Sequence, residues 1–254
     1  MPVTVTLTRA PRGGLQVFPV EAVQPFGVEA FVTDRAGGVS APPYDHLNLA
    51  GHVGDDPQHV AHNRALLAAA LGVELAQLVI ARQVHGDRVL DVVAPGAVGD
   101  ADGLVTVSAD VALVVLVADC LPILLVDTVS PRVGVVHAGW RGLRAGVVAR
   151  ALAHFATPRA VHAFVGPSIS TAAYQVGPEV AAHFAEVPGA VALDVGDRSR
   201  LDLRRVAVHQ LVALGLADEN ITLSHQVTDG GGDFFSDRAA RPSGRFALVA
   251  KRAS

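Results

Sequence analysis

Three short segments of this 254-residue chain carry side chains suited to chemistry: Gln83-Val84-His85-Gly86, Ala118-Asp119-Cys120-Leu121-Pro122, and Val136-His137-Ala138-Gly139-Trp140-Arg141-Gly142. Each sets a soft or borderline ligand at the end of a strand-like run, beside a turn-forming residue. Strand ends are rigid, and the adjoining turns can face substrate, which is where a preorganised yet accessible site belongs. Two imidazoles and one thiolate suit zinc, and three protein ligands leave a tetrahedral position free for water. Zinc lowers the pKa of such a water to roughly 7, and zinc deaminases of nucleobases use a comparable His/Cys set. His85, Cys120 and His137 are therefore the candidate metal ligands.

Their separations of 35 and 17 residues match no metal-ligand spacing signature. Two other readings stay open on spacing alone. Cys120 with His137 or His85 as base would form a cysteine-hydrolase dyad, and a lone cysteine in an apolar run is often simply a small hydrophobe. The second histidine favours metal, because a dyad needs only one. Among the other histidines, His46 and His52 flank Leu47-Asn48-Leu49 in a polar loop and could line a site. His59 and His62 share a helix face without an acidic partner, and the rest read as structural.

Arginines in turns are candidates for an anion. Arg35 precedes Gly37-Gly38, Arg141 lies between Trp140 and Gly142, and Arg238 follows Phe234-Phe235-Ser236-Asp237. Guanidinium groups suit bidentate phosphate recognition, and glycines let backbone approach an anion closely.

The elements that must position these residues read as a mixture of strands and helices. A strand is expected at 28–33, and a helix from about 57 to 71, capped by Asp55 or Asp56, with Pro57 in its first turn and Gly72 beyond its end. Apolar, β-branched runs at 78–81, 88–93, 103–107, 111–118, 122–127 and 132–136 suggest central strands buried on both faces. Further helices are expected at 143–155, 178–184 and 203–214, and strands at 161–165 and 246–250. Residues 1–25 look loosely organised. The whole, 1–254, reads as one α/β domain with mixed sheets and flanking helices.

Composition excludes several function classes. Half the chain is hydrophobic, but its longest apolar run ends at Asp119, well short of the ~20 residues a spanning helix needs. No secretory signal is visible at the N-terminus, so a cytoplasmic location and no membrane partner are expected. Net charge is −4, which argues against nucleic acid as a partner. Nineteen of the twenty basic residues are Arg, and the one Lys, Lys251, lies near the C-terminus. That excludes a Gly-Lys-Ser/Thr phosphate loop and an interior Schiff-base lysine. A single cysteine allows no internal disulfide, in keeping with a reducing compartment.

Taken together, the ordered motifs resemble the YfiH-like, or laccase-domain, purine nucleoside phosphorylase family. The resemblance runs from about residue 28 and includes Phe31 to Ser40, Leu47-Asn48-Leu49, His52 to Asp56, and the three segments above. Gly166-Pro167-Ser168-Ile169, Tyr174 to Gly177, Phe234-Phe235-Ser236 and Ser243-Gly244-Arg245 follow. It implies a zinc ion (copper being possible) on His85, Cys120 and His137, within a layered α/β sandwich. It further implies phosphorolysis of adenosine, inosine and S-methyl-5′-thioadenosine with phosphate, and deamination of adenosine. On that reading Asp119 and Arg141 are candidate catalytic residues: Asp119 as a proton shuttle or as an orienter of a histidine, Arg141 on the anion. Arg35, Asn48, Phe235 and Arg238 are candidate substrate contacts, and the protein is expected to be a monomer or weak homo-oligomer. Two positions depart from the family pattern: Val227 stands where Cys is common, and Asp237 where Tyr is usual. Alternatives are a copper polyphenol oxidase, a Cys120 hydrolase and a peptidoglycan-editing factor. Multicopper oxidases use His-x-His pairs, and none of the eleven histidines here lie two apart.

Overall fold

The apolar runs become strands whose successive side chains serve two different cores. In the strand Ala112–Val117, Leu113, Val115 and Val117 face one cluster, and Ala112, Val114 and Leu116 face another. In the strand Leu121–Asp127, Leu124 and Val126 join the first cluster, while Leu121, Ile123 and Leu125 join a third. Period-two alternation between two apolar environments explains why these stretches show no polar positions. The computed structural model describes residues 1–229 and 231–253.

Two large sheets pack face to face across the shared cluster. One has seven strands in the order 3–5, 221–224, 161–165, 121–127, 133–138, 103–106, 89–91; the other has six, in the order 10–12, 15–19, 28–33, 246–252, 112–117, 78–80. Both mix parallel and antiparallel pairs. Between them, Phe164, Leu124, Val135, Phe246, Leu248 and Val32 are essentially excluded from solvent. The helix Pro57–Leu71 covers the outer face of the six-stranded sheet through Leu67 and Leu71. The helices Trp140–Ala145, Val147–Leu152 and Leu203–Ala213 cover the outer face of the seven-stranded sheet. The fold is thus a mixed α/β sandwich with flanking helices, as expected from the strand clustering.

Asp56 caps the first helix by accepting the N–H of Gln58, and Gly72 ends it in a left-handed conformation (φ 65°). Three expectations need correction. Residues 1–25 are ordered, contributing one strand to the seven-stranded sheet and two to the six-stranded one. The helix expected at 143–155 begins earlier, at Trp140, and breaks at Gly146 (φ 92°) into two short helices. A small sheet of 175–176, 199–201 and 191–193, and the strand 221–224, were not anticipated. Among the described residues no helix is long and apolar enough to cross a membrane.

Candidate metal centre

The hairpin of strands Leu121–Asp127 and Val133–Ala138 sets the first two ligands side by side. Its register pairs His137 with Pro122 and Ala138 with Leu121, so Cys120, one residue before the strand, lies at the same end as His137. His85 comes from the loop after the strand Leu78–Ile80 of the other sheet. The side chain of Gln83 anchors that loop by donating to Leu116 O (2.8 Å) and accepting from Leu116 N (2.8 Å), like an extra strand partner.

Asp102, 1% exposed, organises both imidazoles. Its carboxylate accepts the backbone N–H groups of Val84 (3.2 Å), His85 (2.9 Å) and Gly86 (2.7 Å). These hold His85 at φ 60°, a left-handed conformation rare outside glycine. The same carboxylate meets His137 Nδ1 at 2.8 Å, which fixes the tautomer with Nε2 free to ligate. The His85 and His137 rings stand edge to face, 4.7 Å apart and at 87°.

One ligand atom each from His85, Cys120 and His137 lies within 4.8 Å of the others. Burial by itself pushes the Cys120 thiol up, but the charge of His137 and hydrogen bonds from both imidazoles bring it down to about 6. Burial opposes the His137 cation, and the Cys120 thiolate with Asp102 outweighs it, raising that imidazole to about 9. The residues fit a zinc ion in donor chemistry, and the space is kept by Gly139. A Cβ there would stand 2.8 Å from Cys120 Sγ and 3.4 Å from His85 Cδ2.

The triad opens on a cavity of about 280 Å³. On one side stand Trp140 and Tyr174, with the guanidinium of Arg141 4.4 Å from the Trp140 ring and that of Arg238 5.1 Å from the Tyr174 ring. Trp140 is stacked on His183 at 13°. Burial pushes the Tyr174 phenol up, keeping it a hydrogen-bond donor. His52, Asp237, Arg241 and Arg245 also line the cavity.

Asp119 lines the cavity beside Cys120 at φ 84°. Its carboxylate is already engaged, accepting Thr228 Oγ1–H (2.6 Å), Ser236 Oγ–H (2.7 Å) and Arg238 N–H (2.7 Å). That geometry is of an anchor for the segment bearing Arg238. Among the described residues the hydrogen-bond partners of Asp119 include no histidine, and the carboxylate that meets His137 is that of Asp102.

Three expected substrate contacts stand outside the cavity. Arg35 donates to Asp45 and lies 4.7 Å over the ring of Phe235. Phe235 is 1% exposed, with its ring against Gly244. Asn48 is fully buried, binding Asp55 and the backbone of Ala50 and Arg245. None of the three lines the cavity, whose aromatic lining residues are Trp140 and Tyr174. Of the two loop histidines, His52 reaches the cavity and His46 does not. Asp102 escaped sequence reasoning, since it is one of two acids, with Asp100, just before the apolar strand Gly103–Thr106, and nothing local distinguishes them.

A family model described as multi-copper polyphenol oxidoreductase laccase matches residues 29–253. A Mycobacterium tuberculosis protein named purine nucleoside phosphorylase is 42% identical over 229 residues, covering 87% of this chain and 91% of that protein. Escherichia coli YfiH, also named purine nucleoside phosphorylase, is 38% identical over 233 residues, covering 88% and 93%. The crystal structure of YlmD from Geobacillus stearothermophilus superposes with a TM-score of 0.88 at 31% identity, covering 98% of this chain and 99% of that one.

Proposed function

This chain belongs to the YfiH-like, laccase-domain family, and from that premise we propose that it is a zinc-dependent purine nucleoside phosphorylase. The substrates are adenosine, inosine and S-methyl-5′-thioadenosine, with deamination of adenosine as a second activity of the same site. The observation that carries the proposal is the placement of the His85, Cys120 and His137 triad in one cavity with an aromatic wall and four arginines. The names of the relatives support the nucleoside class.

In phosphorolysis a phosphate oxygen bonds to C1′ of the ribose while the C1′–N9 bond breaks. The electron pair leaves with the purine, which then takes up a proton. Trp140, covered by His183 and Arg141, and Tyr174, covered by Arg238, form with those partners the wall against which a purine packs. Arg141 and Arg238, lying against those rings, place cationic edges where the departing base gathers negative charge. Asp119 keeps Arg238 in register through its backbone contact. Zinc held by His85, Cys120 and His137 would supply Lewis acidity and would make a water ionisable near neutral pH, the chemistry deamination requires.

A multicopper oxidase needs several copper sites, and the described residues contain one three-ligand His/Cys/acid cluster. The test is incubation of purified protein with adenosine and phosphate, followed by chromatography. Adenine and inosine are expected from the wild type and neither from Cys120→Ala. An inactive wild type, or one indistinguishable from Cys120→Ala, sinks the proposal. Elemental analysis of protein made without added copper should give stoichiometric zinc; copper alone would favour the oxidase, and activity surviving chelation with Cys120 alkylation-sensitive would favour the hydrolase.

A further inference from the structure

Adjoining the metal cavity is a second, open hollow of about 540 Å³, lined by His52, Asp237, Arg241, Ser243 and Arg245 among others and by neither Trp140 nor Tyr174. Four of these residues also line the metal cavity, so the two spaces share a wall. In a chain of net charge −4 this concentration of guanidinium groups is local and needs a cause.

Asp237 holds the two arginines in place. Its Oδ1 accepts from Arg245 Nη2 at 3.0 Å, and its Oδ2 pairs with Arg241 Nη2 at 2.6 Å. Arg245 is fixed further by donating Nη1 to the carbonyls of Ser243 (2.8 Å) and Gly244 (2.9 Å). One carboxylate thus faces two guanidiniums, leaving a surplus positive charge. Arg245 Nε and Arg241 Nη1 keep N–H groups that have no partner among the described residues. His52 reports the same field: burial, then Arg245 and Arg64, hold its imidazole below the ordinary range, so it stays neutral.

We propose that this hollow is a subsite for a tetrahedral phosphate group, bound by Arg241 and Arg245 and presented in register by Asp237 as a positioning residue. Guanidinium forks match phosphate oxygens in geometry as well as charge. The inference rests on the nucleoside-phosphorylase reading of the adjoining cavity and gives that cavity a direction. The purine lies toward Trp140 and Tyr174, and the phosphate lies toward Arg241 and Arg245. The phosphate is either the free anion or an ester carried on a nucleoside.

Arg241 is the variant to use, because its side chain is 77% exposed and its loss should not disturb folding. Binding of inorganic phosphate and of adenosine 5′-monophosphate is measured by calorimetry on zinc-loaded wild type, Arg241→Gln and Cys120→Ala. Loss of a charge-assisted contact predicts roughly tenfold weaker binding in Arg241→Gln, with binding retained in Cys120→Ala. Weakening for inorganic phosphate alone identifies the free anion, and weakening for the monophosphate identifies the ester. No binding by wild type, or equal affinity in Arg241→Gln for both probes, overturns the subsite. Binding lost only in Cys120→Ala also overturns it, by moving the anion to the metal. Turnover of adenosine is assayed separately, so an inactive wild type would refute the nucleoside reading while the phosphate titration still decides the subsite.

Discussion

A thiol as enclosed as that of Cys120 would ordinarily stay protonated past neutrality, because burial disfavours its charged form. The imidazoles of His85 and His137 reverse this and set it at about 6. The sign follows directly. In metal-stripped protein the thiolate is present above about pH 6 and is lost as pH falls through that value. Iodoacetamide should therefore alkylate Cys120 with a half-point near pH 6, and zinc should protect it. A half-point near the ~8.5 of a free cysteine would show that the imidazoles do not act on the sulfur. Asp102 sits one contact further out, fixing His137 by its Nδ1 and His85 by its backbone. Asp102→Asn keeps the shape and removes the charge, and groups of this kind are worth about 10- to 100-fold in metal affinity. Competition against a chromogenic chelator measures the loss; unchanged affinity would make Asp102 a bystander. The triad is legible in the sequence through its residue types and surrounding strings. Asp102 is not, because nothing in the Asp100-Ala101-Asp102 string before an apolar strand says which acid meets which loop.

At the scale of elements, Asp119 marks the crossing of the chain from the strand Ala112–Val117 of one sheet to Leu121–Asp127 of the other. Its carboxylate ties that crossing to Thr228, Ser236 and Arg238 by three hydrogen bonds. Removing a buried acceptor leaves such donors unsatisfied at about 1–3 kcal/mol each. Asp119→Ala should then loosen Arg238, raising the KM for nucleoside roughly tenfold while zinc stoichiometry holds. A proton shuttle behaves differently: its loss lowers kcat by about 10²–10⁴ with KM little changed, and that pattern would restore the catalytic role. The elements themselves were readable wherever long apolar or capped segments announced them, as in the helix from Pro57. The break at Gly146 was not, since a glycine between two helical stretches is also tolerated inside one helix. Strands as short as Ile221–Ser224 carry too few residues to show alternation, and they exist because neighbouring strands at 3–5 and 161–165 pair with them. Arg241 and Arg245 lie in a Pro- and Gly-containing loop whose path no local pattern encodes.

For the molecule as a whole, the candidate metal triad draws on both sheets. His85 follows a strand of the six-stranded sheet, His137 ends one of the seven-stranded sheet, and Cys120 sits on the connection between them. An ion bound there would join the two halves of the sandwich beside their shared core, against which Cys120 itself packs. Anything that binds the folded chain and not the unfolded one stabilises it by RT ln(1 + [L]/Kd), about 2.7 kcal/mol at a free zinc concentration of 100 times Kd. In a chain of this size each kcal/mol moves the melting temperature by roughly 2–4 °C. Zinc should accordingly raise the melting temperature by roughly 5–10 °C over chelated protein at that concentration. Cys120→Ala should abolish most of the increment, because it removes the ligand on the connection, and Arg241→Gln should leave it intact. Thermal scans of the three proteins, with zinc and with chelator, make the comparison. An unchanged melting temperature in the wild type would mean that zinc does not bind the folded chain in preference to the unfolded one, and would overturn the triad as a zinc site.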